Sequence, residues 1–200
     1  MQDYLCLCQE LVPRALATRV VVVRTPRERE QLTNSGRLVP LALADAVLHE
    51  REGLAAAEFT EPARRTVLLF PSPTSVELAP DPLDPRPVTL VVPDGTWRAT
   101  RRMVAREPAL ASLPRVTLPP GPPTRYRLRT HPNAHCLATL EAVARALGIL
   151  EGPALEQHLT RLFLMFVERT LWSRGAIRAE DVTGGVPERA DGMRRSARSS

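Results

Sequence analysis

The chain has 200 residues, 44% of them hydrophobic and 24% charged, with a formal net charge of +5 at pH 7; that suits one domain with a real core. No apolar run is long enough to span a bilayer and no signal-peptide pattern opens the chain, so a cytoplasmic setting without membrane is expected. All 27 basic residues are arginine, which excludes a lysine base or Schiff-base nucleophile, and three cysteines speak against a disulfide framework.

Cys6 and Cys8 come first. Two thiolates alone make a poor zinc site, so the chain is expected to fold without metal. Residues 18–24 (TRVVVVR) read as a first buried strand. Thr33, Asn34, Ser35 and Gly36 form a polar turn that opens a helix predicted over residues 37–49. Asn34 or Ser35 would cap it, and Pro40 is confined to its first turn. Residues 66–70 are a second short buried strand, with a turn over 72–75 at its carboxyl end. Residues 71–87 hold six prolines and are mostly irregular.

Residues 88–92 (VTLVV) suit a buried, parallel strand. Pro93 is expected to end its ladder, because it cannot donate a hydrogen bond. Asp94 and Gly95 make a tight turn, Thr96 is a good N-cap, and a helix follows from Trp97 to Arg106. In open α/β sheets ligands bind just beyond the carboxyl ends of strands, so Asp94, Thr96 and Trp97 stand where a site is expected. Asp94 has two readings: a general base, or a carboxylate that steadies the turn and caps the helix. In the helix, Trp97, Thr100, Met103 and Val104 share one face, while Arg98, Arg101, Arg102 and Arg106 cover the rest, with Arg101 and Arg102 pointing away from the Trp97 face. Trp97 is either core or a pocket wall.

Residues 115–118 read as another strand, 119–123 as a stiff proline-rich connector, and 126–129 as a loop or short strand. Between Gly95 and Thr130 eight arginines face one acid, Glu107, for a local charge of +7. That is either a solvated surface or a patch for a polyanion such as RNA. A helix over 137–147 carries Glu141 within its apolar stripe. A long amphipathic helix over 153–173 either covers the sheet or forms a dimer face. Residues 175–200 lack apolar periodicity and read as a disordered tail after a domain of residues 1–174.

Several of these stretches also match known motifs. Asp94-Gly95-Thr96-Trp97 carries a D-x-T-W signature. Glu28 followed by Thr33-Asn34-Ser35-Gly36-Arg37-Leu38 is like E-x-x-x-x-T-N-T-G-R-L. Leu68-Leu69-Phe70-Pro71-Ser72 looks like a second strand and turn. Tyr126-Arg127-Leu128-Arg129 with Pro132 is like Y-x-L-R-x-x-P, and Leu137-Ala138-Thr139-Leu140-Glu141-Ala142 like L-S-T-x-E-A. In that order, over about residues 5–172, the chain resembles the DTW-domain family. The resemblance implies an α/β fold similar to the knotted SPOUT transferases: a mostly parallel sheet, helices on both faces and a C-terminal trefoil knot. It also implies S-adenosylmethionine-dependent transfer of the 3-amino-3-carboxypropyl group to N3 of a tRNA uridine.

On that resemblance, Asp94 is the candidate catalytic base. Pro71, Ser72, Thr96, Trp97, Tyr126, Leu128, Arg129 and Thr139 are candidate S-adenosylmethionine contacts. Asn34, Arg37, Arg98, Arg101 and Arg102 are candidate tRNA contacts. Three departures from the family stand out. Thr25 replaces a usual histidine. The upstream cysteine pair that often completes a zinc site in the family would lie before Met1, so either the start is truncated or this branch lost the metal. Ala138 replaces a serine, so Glu141 keeps only its half of a capping box and reads as a helix cap. Two other functions compete: an ordinary knotted RNA methyltransferase, and an RNA-binding module without catalysis.

Overall fold

Runs of β-branched residues form a sheet whose alternate side chains feed two separate cores. The computed structural model describes residues 7–51, 54–129 and 136–187; Cys6, Pro132 and residues 188–200 of the expected tail lie outside them. Six strands occur: β1 (Arg19–Arg24), β2 (Ala46–Glu50), β3 (Arg65–Leu69), β4 (Val76–Glu77), β5 (Val88–Asp94) and β6 (Arg115–Thr117). They form one sheet in the order β2-β1-β5-β3-β6-β4, and every pair is parallel. The helices are α1 (Val39–Ala42), α2 (Trp97–Arg106), α3 (Pro108–Ala111), α4 (Thr139–Leu150) and α5 (Pro153–Ser173).

Successive strand residues point to opposite faces. Val20, Val22, Leu90 and Val92 therefore join the larger core with α1, α4 and α5. Val21, Val23 and Val91 join the smaller one with Met103 and Val104 of α2 and Leu110 of α3. Helices thus cover both faces, which the near-continuous apolar strands require. α5 contributes Leu155, Leu159, Leu162, Phe163 and Met165 to the larger core, where it packs on α4.

The chain leaves β1 toward α1 on one face and leaves β5 toward α2 on the other. β1 and β5 are neighbours in register, Arg24 opposite Asp94. A crevice opens at such a divergence, beyond the carboxyl ends of the strands. Asp94 is the last residue of β5 and stands at that crevice.

Three expectations are corrected. The helix foreseen over 37–49 is a 3-10 turn, Gly36–Leu38, then the short α1, then the edge strand β2. Pairing of Ala46–Glu50 with β1 outweighs the helix propensity of that segment. Pro93 does not end β5. The Asp94 carbonyl accepts the Thr25 N–H at 2.9 Å, so Asp94 faces β1 and Pro93 faces the β3 side. There the ladder already stops at Leu68 opposite Val91, and the missing N–H removes no bond. Residues 175–187 are folded, not a disordered tail. Val182 packs on Trp172, with Ile177, Ala179 and Val186 beside them. Glu168 accepts the Thr183 N–H at 2.7 Å.

Candidate active site

A cavity of about 1130 Å³ lies beyond the carboxyl ends of β3, β5 and β6, with the loop after β1 on its wall. Asp94 lines it, yet the residue is only 2% exposed. A bare carboxylate in such a place is costly unless hydrogen-bonded, and both oxygens are. Asn34 Nδ2 donates to Oδ2 at 2.7 Å, and the Thr139 hydroxyl donates to Oδ1. Thr139 is the first residue of α4, and α2 begins three residues after Asp94. Two helix N-termini, each partially positive, therefore converge on this carboxylate. Burial nevertheless dominates: it pushes the Asp94 carboxyl up, against the Thr139 and Asn34 hydrogen bonds, and the Glu28 charge adds to the rise.

The close approach depends on two glycines. A Cβ on Gly36 would lie 2.8 Å from Asp94 Cγ and Oδ2. A Cβ on Gly95, where φ is +154°, would meet Thr25 Oγ1 at 2.6 Å. At both positions an added side chain would force these neighbouring side chains to move.

From Asp94 the hydrogen bonds continue in one direction. Asn34 Nδ2 also donates to Glu28 Oε2 at 3.0 Å. Glu28 Oε1 accepts from Arg129 Nη1 at 2.8 Å, and Arg129 Nε donates to Thr33 Oγ1 at 2.9 Å. Tyr126 donates its hydroxyl proton to the Thr33 carbonyl. Burial alone would raise the Glu28 carboxyl, but hydrogen bonds from Arg129 and Asn34 and the charges of Arg129 and Arg24 leave it below the usual range. The third nitrogen of the guanidinium, Arg129 Nη2, is buried and has no hydrogen-bond partner among the described residues.

The cavity gathers Asn34, Pro71, Asp94, Thr96, Trp97, Arg98, Arg101, Tyr126, Arg129 and Thr139 from the sequence-based candidates. Trp97 is half-buried; its ring lies against Phe70 with centroids 5.7 Å apart. It is thus both core neighbour and cavity wall. Arg101 is a correction: one turn after Trp97, it lines the same cavity instead of pointing away. Leu128 does not line the cavity, because its apolar side chain is buried in the larger core. Ser72 and Arg37 also stand off it. The backbone N–H of Arg37 donates to Asn34 Oδ1 at 2.9 Å and so orients the amide. Arg102 is exposed on α2 outside the cavity.

Glu141 accepts the Ala138 N–H at 3.0 Å, the Arg125 N–H at 2.8 Å and the Thr124 hydroxyl proton. It therefore ties the loop before Tyr126 to the start of α4. Thr96 Oγ1 accepts the Ala99 N–H at 3.3 Å and caps α2. Sequence reasoning assigned no role to Glu28, Thr33 or Arg145, all of which line the cavity. The only advance signal was that Glu28 and Thr33 lie within a motif.

The DTW domain family matches residues 1–171. The chain belongs to the DTW domain family. Its tetrad is Asp94-Gly95-Thr96-Trp97, the carboxylate, close turn, helix cap and ring described above. Among curated proteins, this DTW-domain chain is similar to tRNA-uridine aminocarboxypropyltransferase 2 of Drosophila melanogaster. Identity is 32% over 167 residues, covering 78% of this chain and 66% of that protein. The protein of the same name from Macaca fascicularis is 27% identical over 157 residues, covering 73% and 53%. tRNA-uridine aminocarboxypropyltransferase A of Arabidopsis thaliana is 30% identical over 193 residues, covering 78% and 72%. The chain thus spans between about half and two thirds of the length of the two animal relatives. No solved structure matches it.

Proposed function

We propose that this DTW-domain protein is a tRNA-uridine aminocarboxypropyltransferase. It would move the 3-amino-3-carboxypropyl group of S-adenosylmethionine to N3 of a tRNA uridine. The observation that carries the reading is one cavity holding both a buried, basic carboxylate and a guanidinium with an open donor. The names of the similar curated proteins support the same activity.

The residues present fit the donor. Arg129 lines the cavity and its buried Nη2 has no hydrogen-bond partner among the described residues, so the guanidinium suits the carboxylate of the aminocarboxypropyl chain. Trp97, Pro71 and Tyr126 supply apolar wall, and Thr96 and Thr139 supply hydroxyls. S-adenosylmethionine supplies a sulfonium that activates its attached carbons toward a nucleophile. The protein's part is to aim the γ-carbon, not the methyl, at N3, which is mainly positioning.

Uridine N3 carries a proton at neutral pH and attacks poorly until that proton leaves. Asp94 is the proposed acceptor of that proton. Its raised proton affinity suits the task, and Asn34 and Thr139 hold it in place. Arg98, Arg101 and Arg145 line the cavity and suit the tRNA backbone. The products are modified tRNA and 5′-methylthioadenosine. The proposed setting is the cytoplasm, and the proposed fold is SPOUT-like with a C-terminal trefoil knot.

The test is mass spectrometry after incubation with S-adenosylmethionine and total tRNA. Modified uridine with an equal amount of 5′-methylthioadenosine is expected. S-adenosylhomocysteine would indicate methyl transfer instead, and binding of tRNA without donor consumption would indicate a non-catalytic module.

A further inference from the structure

Two carboxylates meet across a single amide nitrogen in this site. Asn34 Nδ2 donates to Glu28 Oε2 at 3.0 Å and to Asp94 Oδ2 at 2.7 Å, while Asn34 Oδ1 accepts the Arg37 N–H at 2.9 Å. The flipped amide would set its oxygen against two carboxylates and its NH2 against an N–H, so only one orientation satisfies the site. Glu28 is 3% exposed and sits in a 3-10 turn, Pro26–Glu28, whose own bonds do not need its side chain. A buried acid there costs desolvation, and among the described residues its side chain is held by Arg129 and Asn34.

We propose that Glu28 is a positioning residue for Asp94. Through Asn34 it fixes the facing of the Asp94 carboxylate, and its negative charge, one amide away, adds to the rise that burial sets. The inference rests on Asp94 being the base of the proposed transfer. The charged and titratable groups acting on Asp94 are Glu28 and Arg24 from the segment leading out of β1, and Tyr126 and Arg129 from the loop before α4. Glu28 is the one negative charge among them at neutral pH, since Tyr126 is held protonated by burial. Arg129 then serves both ends of one chain. Nη1 fixes Glu28, and Nη2 remains for the carboxylate of the donor. Donor anchor and proton acceptor are thereby joined through Glu28 and Asn34.

The experiment compares the parent with Glu28→Gln and Asn34→Ala. Carbon-13 NMR of labelled aspartate carboxyls follows the titration of Asp94, assigned by its loss in Asp94→Asn. Single-turnover transfer against pH is measured beside it. Removing the Glu28 charge should lower the Asp94 midpoint, and the acid limb of the rate profile should move with it. Asn34→Ala leaves the Glu28–Arg129 pair intact but removes a donor from Asp94, so the midpoint should rise. Opposite shifts from two neighbouring substitutions are not a consequence of general loosening. A Glu28→Gln protein with reduced melting temperature but an unmoved Asp94 titration would overturn the proposal. If Glu28→Gln does not fold, an unmoved midpoint in Asn34→Ala overturns it equally. A parent that transfers nothing would overturn the transferase reading, while the titration still decides the coupling.

Discussion

Asp94 and Glu28 lie in one hydrogen-bonded chain, yet their proton affinities are pushed in opposite directions. For Asp94 burial wins, so the fold favours the protonated form. That stabilisation is full below the ordinary carboxylate range and is lost as pH rises through the raised folded value. Asp94→Asn stays neutral throughout. Its amide oxygen can accept from Asn34 and its NH2 can donate to Thr139. Its melting temperature should therefore gain on the parent's as pH rises above the ordinary carboxylate range, a trend that scanning calorimetry reads. For Glu28 the hydrogen bonds and nearby cations win. Its stabilisation is present above the ordinary range and lost as pH falls through the lowered folded value. Glu28→Gln should accordingly flatten the acid-side loss of stability below about pH 4. Arg129→Gln removes a charged donor from Glu28 and the open donor of the cavity. Charge-assisted hydrogen bonds contribute about 1.5–3 kcal/mol, and the partly exposed guanidinium belongs at the lower end. S-adenosylmethionine binding by titration calorimetry should weaken by about tenfold; unchanged affinity would mean that Arg129 does not hold the donor's carboxylate.

At the scale of elements, apolar runs and caps made β1, β3, β5 and α2 legible in the sequence, because each carries a local signal. β2 was not legible, since residues 37–49 suit a helix until β1 is there to pair with. Pro93 misled for a related reason: whether a missing N–H matters depends on which neighbouring strand it faces. The site divides in the same manner. Asp94, Thr96 and Trp97 could be placed because they follow a recognisable strand. Leu128 could not be told from Arg129 without knowing which of them turns to the core. Glu28 stayed unassigned because Arg129, its partner, lies 101 residues away. Gly36 shows how tightly the elements are set. Gly36→Ala places a methyl 2.8 Å from Asp94 Cγ and should displace the carboxylate. Single-turnover transfer should fall steeply, while circular dichroism still shows the parent's helix content.

In the whole molecule, the divergence of chain from β1 and β5 makes the crevice, and the α2–loop–α4 region gives it a basic rim. Arg102 and Arg106 are exposed on α2 and do not line the cavity. Reversing both to Glu should weaken tRNA binding and lower its log–log salt slope by about one for each lost phosphate contact. Donor affinity should stay at the parental value; tRNA binding equal to the parent's would make this face a solvated surface only. The central claim is that a buried Asp94 accepts the uridine N3 proton during aminocarboxypropyl transfer. Its most direct test is single-turnover transfer by the parent and Asp94→Asn with saturating S-adenosylmethionine and tRNA, reading modified uridine and 5′-methylthioadenosine. The expected result is a folded, donor-binding variant slower by about 10²–10⁴-fold. Near-parental transfer by that folded variant would contradict the claim and leave the proton to solvent or to the donor's own carboxylate.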